Sequence, residues 1–201
     1  MKKFSVFVSG NGSNLQAIID AVGRGEINAR LVLVVSDNKD AYAVKRAENS
    51  GIETFCFEPK KYQNKGDYEK TIISELNKKE VDFIVLAGFM RVLSSYFIDR
   101  YRNRILNIHP ALLPSFPGEH GAGDALKGGV KFTGVTVHFV DEGVDSGPII
   151  LQNIEPVYED DTEDSLLERL HKIERRLYPE AIQLLIEDKL KVEGKCVKIV
   201  R

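Results

Sequence analysis

Five apolar residues in a row, Leu31-Val32-Leu33-Val34-Val35, leave no polar face for water to wet. A strand that is apolar on both sides has to be covered on both sides, which is the condition of a parallel sheet flanked by helices. Phe83-Ile84-Val85-Leu86-Ala87 repeats the pattern, and Phe4-Ser5-Val6-Phe7-Val8 opens the chain with a β-rich run. Between these runs the apolar spacing turns helical. Leu15, Ile18, Ile19 and Val22 form one such stretch, stopped by Gly23 and Gly25; Tyr42, Val44 and Ala47 form a second, stopped by Gly51; a third covers about residues 67–79. With a further strand around Thr54-Phe55-Cys56-Phe57, the alternation predicts right-handed βαβ units in a three-layer, doubly wound α/β fold with a mostly parallel sheet.

The later half changes rhythm. Ile105-Leu106-Asn107-Ile108 is a short strand that runs into a proline-rich loop, residues 110–118. Over residues 131–140, Phe132, Val135, Val137 and Phe139 interleave with polar residues, and the turn chemistry of Asp141-Glu142-Gly143 precedes Pro148-Ile149-Ile150-Leu151. That pair predicts an antiparallel addition to the sheet. A long amphipathic helix is expected over about residues 162–188, with Pro179 able to kink it. No repeat, low-complexity tract or linker interrupts the 201 residues, so a single domain is expected.

Charge and cysteine usage narrow the function classes. The formal net charge is -2, and no basic stripe dominates a predicted face, so no nucleic-acid footprint is expected. Arg91, Arg100, Arg102 and Arg104 form the densest basic stretch and read as a solvated helix end. Cys56 and Cys196 lack metal-ligand spacing and read as small buried hydrophobes of a reducing compartment. The first strand begins almost at once, which predicts no signal peptide, and no apolar run approaches the roughly 18 residues of a membrane span. A cytoplasmic protein without membrane partners is the expectation.

Two clusters carry chemistry. Gly10-Asn11-Gly12-Ser13-Asn14 lies between a strand and a helix, where unpaired N–H groups and the helix dipole favour an anion such as a phosphate monoester. The plainer reading is a tight turn with Asn14 as the helix cap. The loop is not a Walker sequence, and only Asp37 could serve as the acid of a dinucleotide site. The second cluster is Asn107 and His109 at a strand end, followed about 36 residues later by Asp145 in a turn-rich segment. Ligands of open sheets bind beyond such strand ends. An amide can donate to a developing oxyanion, an imidazole can move a proton, and a carboxylate can hold the ring in one orientation. Each also has a structural reading: a satisfied strand-end histidine, an amide bonded to backbone, an Asx-turn at Asp145. His138 and His171 read as structural, and His120 stays open. No serine or cysteine elbow accompanies the triplet, which points to a substrate that supplies the nucleophile.

The segments SGNGSNLQAIIDA (9–21), LAGFMRVLS (86–94), LNIHPALLPSFPG (106–118) and VTVHFVDEGVDSGPIILQ (135–152) resemble the folate-dependent formyltransferase superfamily, and within it the branch that formylates glycinamide ribonucleotide. The resemblance implies formyl transfer from 10-formyltetrahydrofolate, as co-substrate, to the amine of glycinamide ribonucleotide in purine biosynthesis, with no metal. It implies that Asn107, His109 and Asp145 are catalytic, that Gly12, Ser13 and Asn14 bind the ribonucleotide phosphate, and that Glu174 engages the same substrate. Met90, Arg91, Val92 and Leu93 would border the folate together with Val140, Asp141 and Val144; Asn107 would also touch it, and Lys65 stands where relatives often carry a basic residue. About residues 1–104 would be the nucleotide-binding half and about 105–201 the catalytic and folate-binding half, in a monomer or homodimer. One departure is visible: Glu119-His120-Gly121-Ala122-Gly123 lacks the second histidine that familiar members often carry near Ala122. The rivals are a formyltetrahydrofolate hydrolase, whose family carries an extra N-terminal domain, and a non-catalytic nucleotide-binding module. A tRNA-directed formyltransferase would add a C-terminal domain.

Overall fold

A computed structural model describes residues 1–200. The chain divides into two compact units, Met1–Leu106 and the remainder from Asn107. In the first unit, β1 (Lys3–Val8), β2 (Arg30–Ser36), β3 (Thr54–Cys56) and β4 (Phe83–Leu86) stand in the order β3-β2-β1-β4, and every pairing is parallel. Helices α1 (Ser13–Gly23), α2 (Tyr42–Asn49) and α3 (Lys65–Lys78) supply the crossovers that parallel neighbours require. The uninterrupted apolar runs are buried, from Leu33 to Val35 and from Phe83 to Ala87. Phe4 stacks on Phe83 with centroids 5.1 Å apart, and Phe7 meets the edges of Phe89 and Phe97. Ser94 caps a short helix, α4 (Ser95–Arg100), by accepting from Phe97 N–H.

β5 (Ile105–His109) straddles the division between the units. In the second unit, β6 (Phe132–Phe139) pairs antiparallel with β7 (Ile149–Pro156), as the alternating pattern predicts. β7 touches β9 (Cys196–Ile199) through the single pair Ile149–Cys196, and β9 pairs antiparallel with β8 (Leu190–Glu193). A further short helix, α5 (Gly121–Lys127), packs on α6 (Glu163–Ile186). α6 starts at a reciprocal cap between Thr162 and Ser165 and buries Leu166, Leu170, Glu174, Leu177, Tyr178, Ala181 and Ile182. Pro179 lies inside it, also buried. Arg169 ties α6 to the end of β7: its fork donates to Asp161 at 2.6 and 2.7 Å, Nε donates to Glu155 at 2.6 Å, and Nη2 also reaches the Pro156 carbonyl.

The α/β fold, parallel first and antiparallel later, is the one expected. Two expectations fail. Gly12, not Asn14, occupies the cap of α1. Cys56 and Cys196 are exposed, because they sit at the ends of short strands on the rim of each unit's sheet. The segment after α6 forms a hairpin, β8 and β9. The four arginines at 91–104 are exposed as expected. Among the described residues, no helix is long and apolar enough to cross a membrane.

Candidate active site

The groups singled out in the sequence form two sets, one in each unit. In the first unit, β1 delivers the chain to the glycine loop, where Ser9 N–H donates to the Gly88 carbonyl. Gly12 then turns left-handed, at φ 77°, to start α1. A methyl group there would stand 2.6 Å from Ala43 Cβ, so glycine is required by both conformation and contact. No side chain caps α1, and no acid lies in its first turn. Its leading N–H groups have no acceptors within the helix and carry the positive end of its dipole. Arg46 of α2 braces the loop: Nε donates to the Asn11 carbonyl at 3.0 Å, Nη2 to Asn11 Oδ1 at 3.2 Å, and Nη1 to Gln16 Oε1 at 3.3 Å. Sequence reading missed Arg46, which carries no motif of its own.

Residues 88–94 belong to the same unit. Met90 N–H donates to Ser9 Oγ at 2.9 Å. Met90, Arg91 and Val92 are exposed, whereas the Leu93 side chain is in the core, so only its backbone is open to a ligand. Arg91 Nε donates to Asp37 at 2.7 Å, which commits the one candidate ribose acid to an ion pair. Glu69, fully buried on α3, accepts from Ser94 N–H at 2.8 Å and from Ser94 Oγ, and so anchors the end of this segment. Lys65 opens α3 with Nζ 4.0 Å from Glu69, half exposed.

In the second unit, Asn107 and His109 are two residues apart on β5 and therefore face the same side. Asp145, in the loop between β6 and β7, adopts a left-handed φ of 50°. Its Oδ1 accepts from Asn107 Nδ2 at 3.3 Å, and its Oδ2 lies 3.4 Å from His109 Nδ1. Gly118 N–H donates to the same Oδ2 at 2.8 Å. Both oxygens are thus engaged across the chain, in place of an Asx-turn. His109 is buried, with Nε2 2.7 Å from the Phe116 carbonyl. A carbonyl only accepts, so Nε2 carries a proton. With a carboxylate 3.4 Å from Nδ1, both ring nitrogens face acceptors. A methyl group at Gly121 would come 2.9 Å from Nε2, so α5 begins hard against the ring.

Burial alone would raise the Asp145 carboxyl. Hydrogen bonds from His138 and Gly118, joined by the charges of His109 and His138, outweigh it and hold the group below the usual carboxylate range. The loop that supplies Gly118 is itself pinned: Thr136 Oγ donates to the Ala111 carbonyl at 2.7 Å and accepts from Leu113 N–H at 3.1 Å, and Gln152 Nε2 donates to the Leu113 carbonyl at 2.9 Å.

His138, read from sequence as structural, touches the same cluster. Its Nε2 lies 3.3 Å from Asn107 Nδ2 and 3.5 Å from Asp145 Oδ1. His171 and His120 are exposed. Glu174 is buried on the inner face of α6. Val140 is half-buried and Val144 exposed; the Asp141 carboxylate accepts from Ser146 Oγ at 2.6 Å, Lys195 Nζ at 2.9 Å and Gly143 N–H. Asp141 is therefore tied up by its own loop and by the turn between β8 and β9.

The strand-end amide, imidazole and carboxylate singled out in the sequence thus meet in an α/β chain, and the chain belongs to the formyl transferase family, whose model matches residues 2–182. It is 46% identical over 186 residues to the phosphoribosylglycinamide formyltransferase of Bacillus subtilis (strain 168), covering 92% of this chain and 95% of that one. It is 41% identical over 187 residues to the enzyme of the same name from Escherichia coli (strain K12), covering 93% and 88%. The crystal structure of glycinamide ribonucleotide transformylase 1 from Symbiobacterium toebii superposes with a TM-score of 0.98 at 44% identity, over 100% of this chain and 95% of that one.

Proposed function

We propose that this chain moves the formyl group of 10-formyltetrahydrofolate onto the amine of glycinamide ribonucleotide, giving formylglycinamide ribonucleotide and tetrahydrofolate in de novo purine synthesis. The observation that carries this reading is the contact of Asn107 and His109 with one carboxylate, Asp145, at 3.3 and 3.4 Å. The neutral amine attacks the formyl carbon and forms the new C–N bond. The intermediate bears a negative oxygen and a positive nitrogen. It collapses as the bond to the folate nitrogen breaks, after that nitrogen gains a proton.

Each group has a part in this sequence. Asn107 donates an N–H to the developing oxyanion, an interaction worth ~3–4 kcal/mol in comparable sites. His109 donates from Nε2 and relays the proton from the attacking nitrogen to the leaving one, directly or through water. Asp145 stabilises the imidazolium and fixes the ring. In the nucleotide-binding half, Gly12, Ser13 and Asn14 take the phosphate, with the dipole of α1 behind them. Glu174 engages the ribonucleotide. Backbone at Met90, Arg91, Val92 and Leu93, and at Val140, Asp141 and Val144, borders the pterin; Lys65 offers a cation to the folate.

The test mixes purified chain with both substrates and follows loss of 10-formyltetrahydrofolate against formation of formylglycinamide ribonucleotide. Loss at an equal rate without the ribonucleotide would replace this reading with the hydrolase.

A further inference from the structure

Glu69 lies on α3 with no exposed surface, and formyl transfer as proposed gives this acid no task. Taking a carboxylate out of water is costly unless its oxygens are hydrogen-bonded. Both oxygens are filled by one residue: Ser94 N–H donates to Oε1 at 2.8 Å, and Ser94 Oγ donates to Oε2. Lys65, one turn earlier on α3, places its cation 4.0 Å from Oε1.

Capping α4 does not require this acid. Ser94 Oγ accepts from Phe97 N–H at 3.3 Å, which is all that a serine N-cap has to do. What the acid adds is a fixed end for residues 88–94. At the start of that segment Ser9 N–H donates to the Gly88 carbonyl at 3.0 Å, and Met90 N–H donates to Ser9 Oγ at 2.9 Å. In the middle, Arg91 Nε donates to Asp37 at 2.7 Å. Between these pins, among the described residues, the N–H groups of Arg91, Val92 and Leu93 and the carbonyls of residues 90–93 make no hydrogen bond. Each peptide unit there keeps a donor and an acceptor for something else. That is an edge able to pair with a heterocycle whose own rim carries donors and acceptors. Because it is pinned at both ends, it is ordered before a ligand arrives, and less affinity is lost to ordering it.

We propose that Glu69 is a positioning residue for the folate: its carboxylate grips Ser94 and so fixes the backbone of residues 90–93 in the pose that hydrogen-bonds the pterin. The proposal rests on the formyl-transfer reading.

Two measurements decide it. In the wild-type protein, saturating 10-formyltetrahydrofolate is expected to slow amide hydrogen exchange at residues 91–93 by at least about tenfold. No slowing there overturns the proposal without any variant having to fold. In steady-state assays, Glu69→Gln keeps the shape but exchanges one acceptor for a donor, so the Ser94 hydroxyl loses its partner. KM for the folate is expected to rise about 10- to 30-fold, with kcat within about threefold and KM for the ribonucleotide within about twofold. Ser94→Ala keeps the N–H bond and loses the hydroxyl, and should raise the same KM about three- to tenfold. The double variant should exceed Glu69→Gln by less than about twofold, because the two changes break one contact. Ser94→Thr restores the hydroxyl and should return folate KM to the wild-type value. A purely structural Glu69 would lower Tm and leave both KM values alone, or raise them together. Either result in folded Glu69→Gln, or in Ser94→Ala should the first variant not fold, overturns this proposal alone. Wild-type protein that consumes no 10-formyltetrahydrofolate overturns the formyl-transfer reading, and this proposal with it.

Discussion

In the glycine loop the groups proposed to work belong to the backbone, whereas in the cluster around Asp145 they belong to side chains. Conformation governs the first: Gly12 has to be left-handed and has to lack a Cβ, because Ala43 stands 2.6 Å from where one would be. Chemical identity governs the second, because amide, imidazole and carboxylate cannot be exchanged at 3.3 and 3.4 Å without losing a donor or a charge. A backbone site is damaged by adding atoms. A side-chain site is damaged by altering them.

Substitutions chosen along that divide should separate binding from turnover. The largest effect is expected from Asp145→Asn, which keeps shape and removes charge: kcat should fall by about 10³-fold, with KM for the ribonucleotide within about threefold. Unchanged turnover would defeat the catalytic assignment. Gly12→Ala should do the reverse, raising KM for the ribonucleotide by about 10- to 50-fold while KM for the folate moves little, alongside about 2 kcal/mol of lost stability. Equal losses for both substrates would argue against a phosphate loop. Gly121→Ala crosses the divide, since its added methyl meets the His109 ring; kcat should drop about tenfold, and direct binding of the ribonucleotide should stay as in wild type.

Away from both sites, Arg169→Met leaves Asp161 and Glu155 without their cation and should lower Tm by a few degrees, with kcat unchanged. The smallest effect concerns acid. Asp145 and Asp161 both have folded carboxyls below the usual range, Asp161 chiefly through Arg169. The stability they contribute is complete above the ordinary Asp value of about 3.9 and disappears as pH falls through their lower folded values. Wild type should therefore lose stability below about pH 4, and Arg169→Met should lose less over that interval, because Asp161 no longer contributes. Thermal melts from pH 6 to pH 2 read this directly.

The divide also explains what was legible in the sequence. Leu31 to Val35 announced a doubly covered strand, and the residue types at 107, 109 and 145 announced their chemistry. Arg46 did not, because its partners are a backbone carbonyl and two neutral amides from α1 and the loop before it. His138 was hidden by the alternation of β6. Alternation assigns polar positions to solvent, yet Thr136 and His138 are buried, because their face of the strand serves the 111–113 segment and the Asp145 cluster. The cysteines failed for the opposite reason: strand membership says nothing of burial at a rim. Helices α4 and α5 are too short for a periodic apolar stripe to stand out from their loops.

The Phe116 carbonyl at 2.7 Å occupies the one ring nitrogen of His109 that does not face Asp145. On the proposed mechanism, an incoming reactant must therefore displace a tenant before it can engage that proton. Whatever interaction it gains there is discounted by the bond that has to be given up, and the segment around residue 116 has to yield before the imidazole is free for its errand. The resting molecule keeps that nitrogen sheathed.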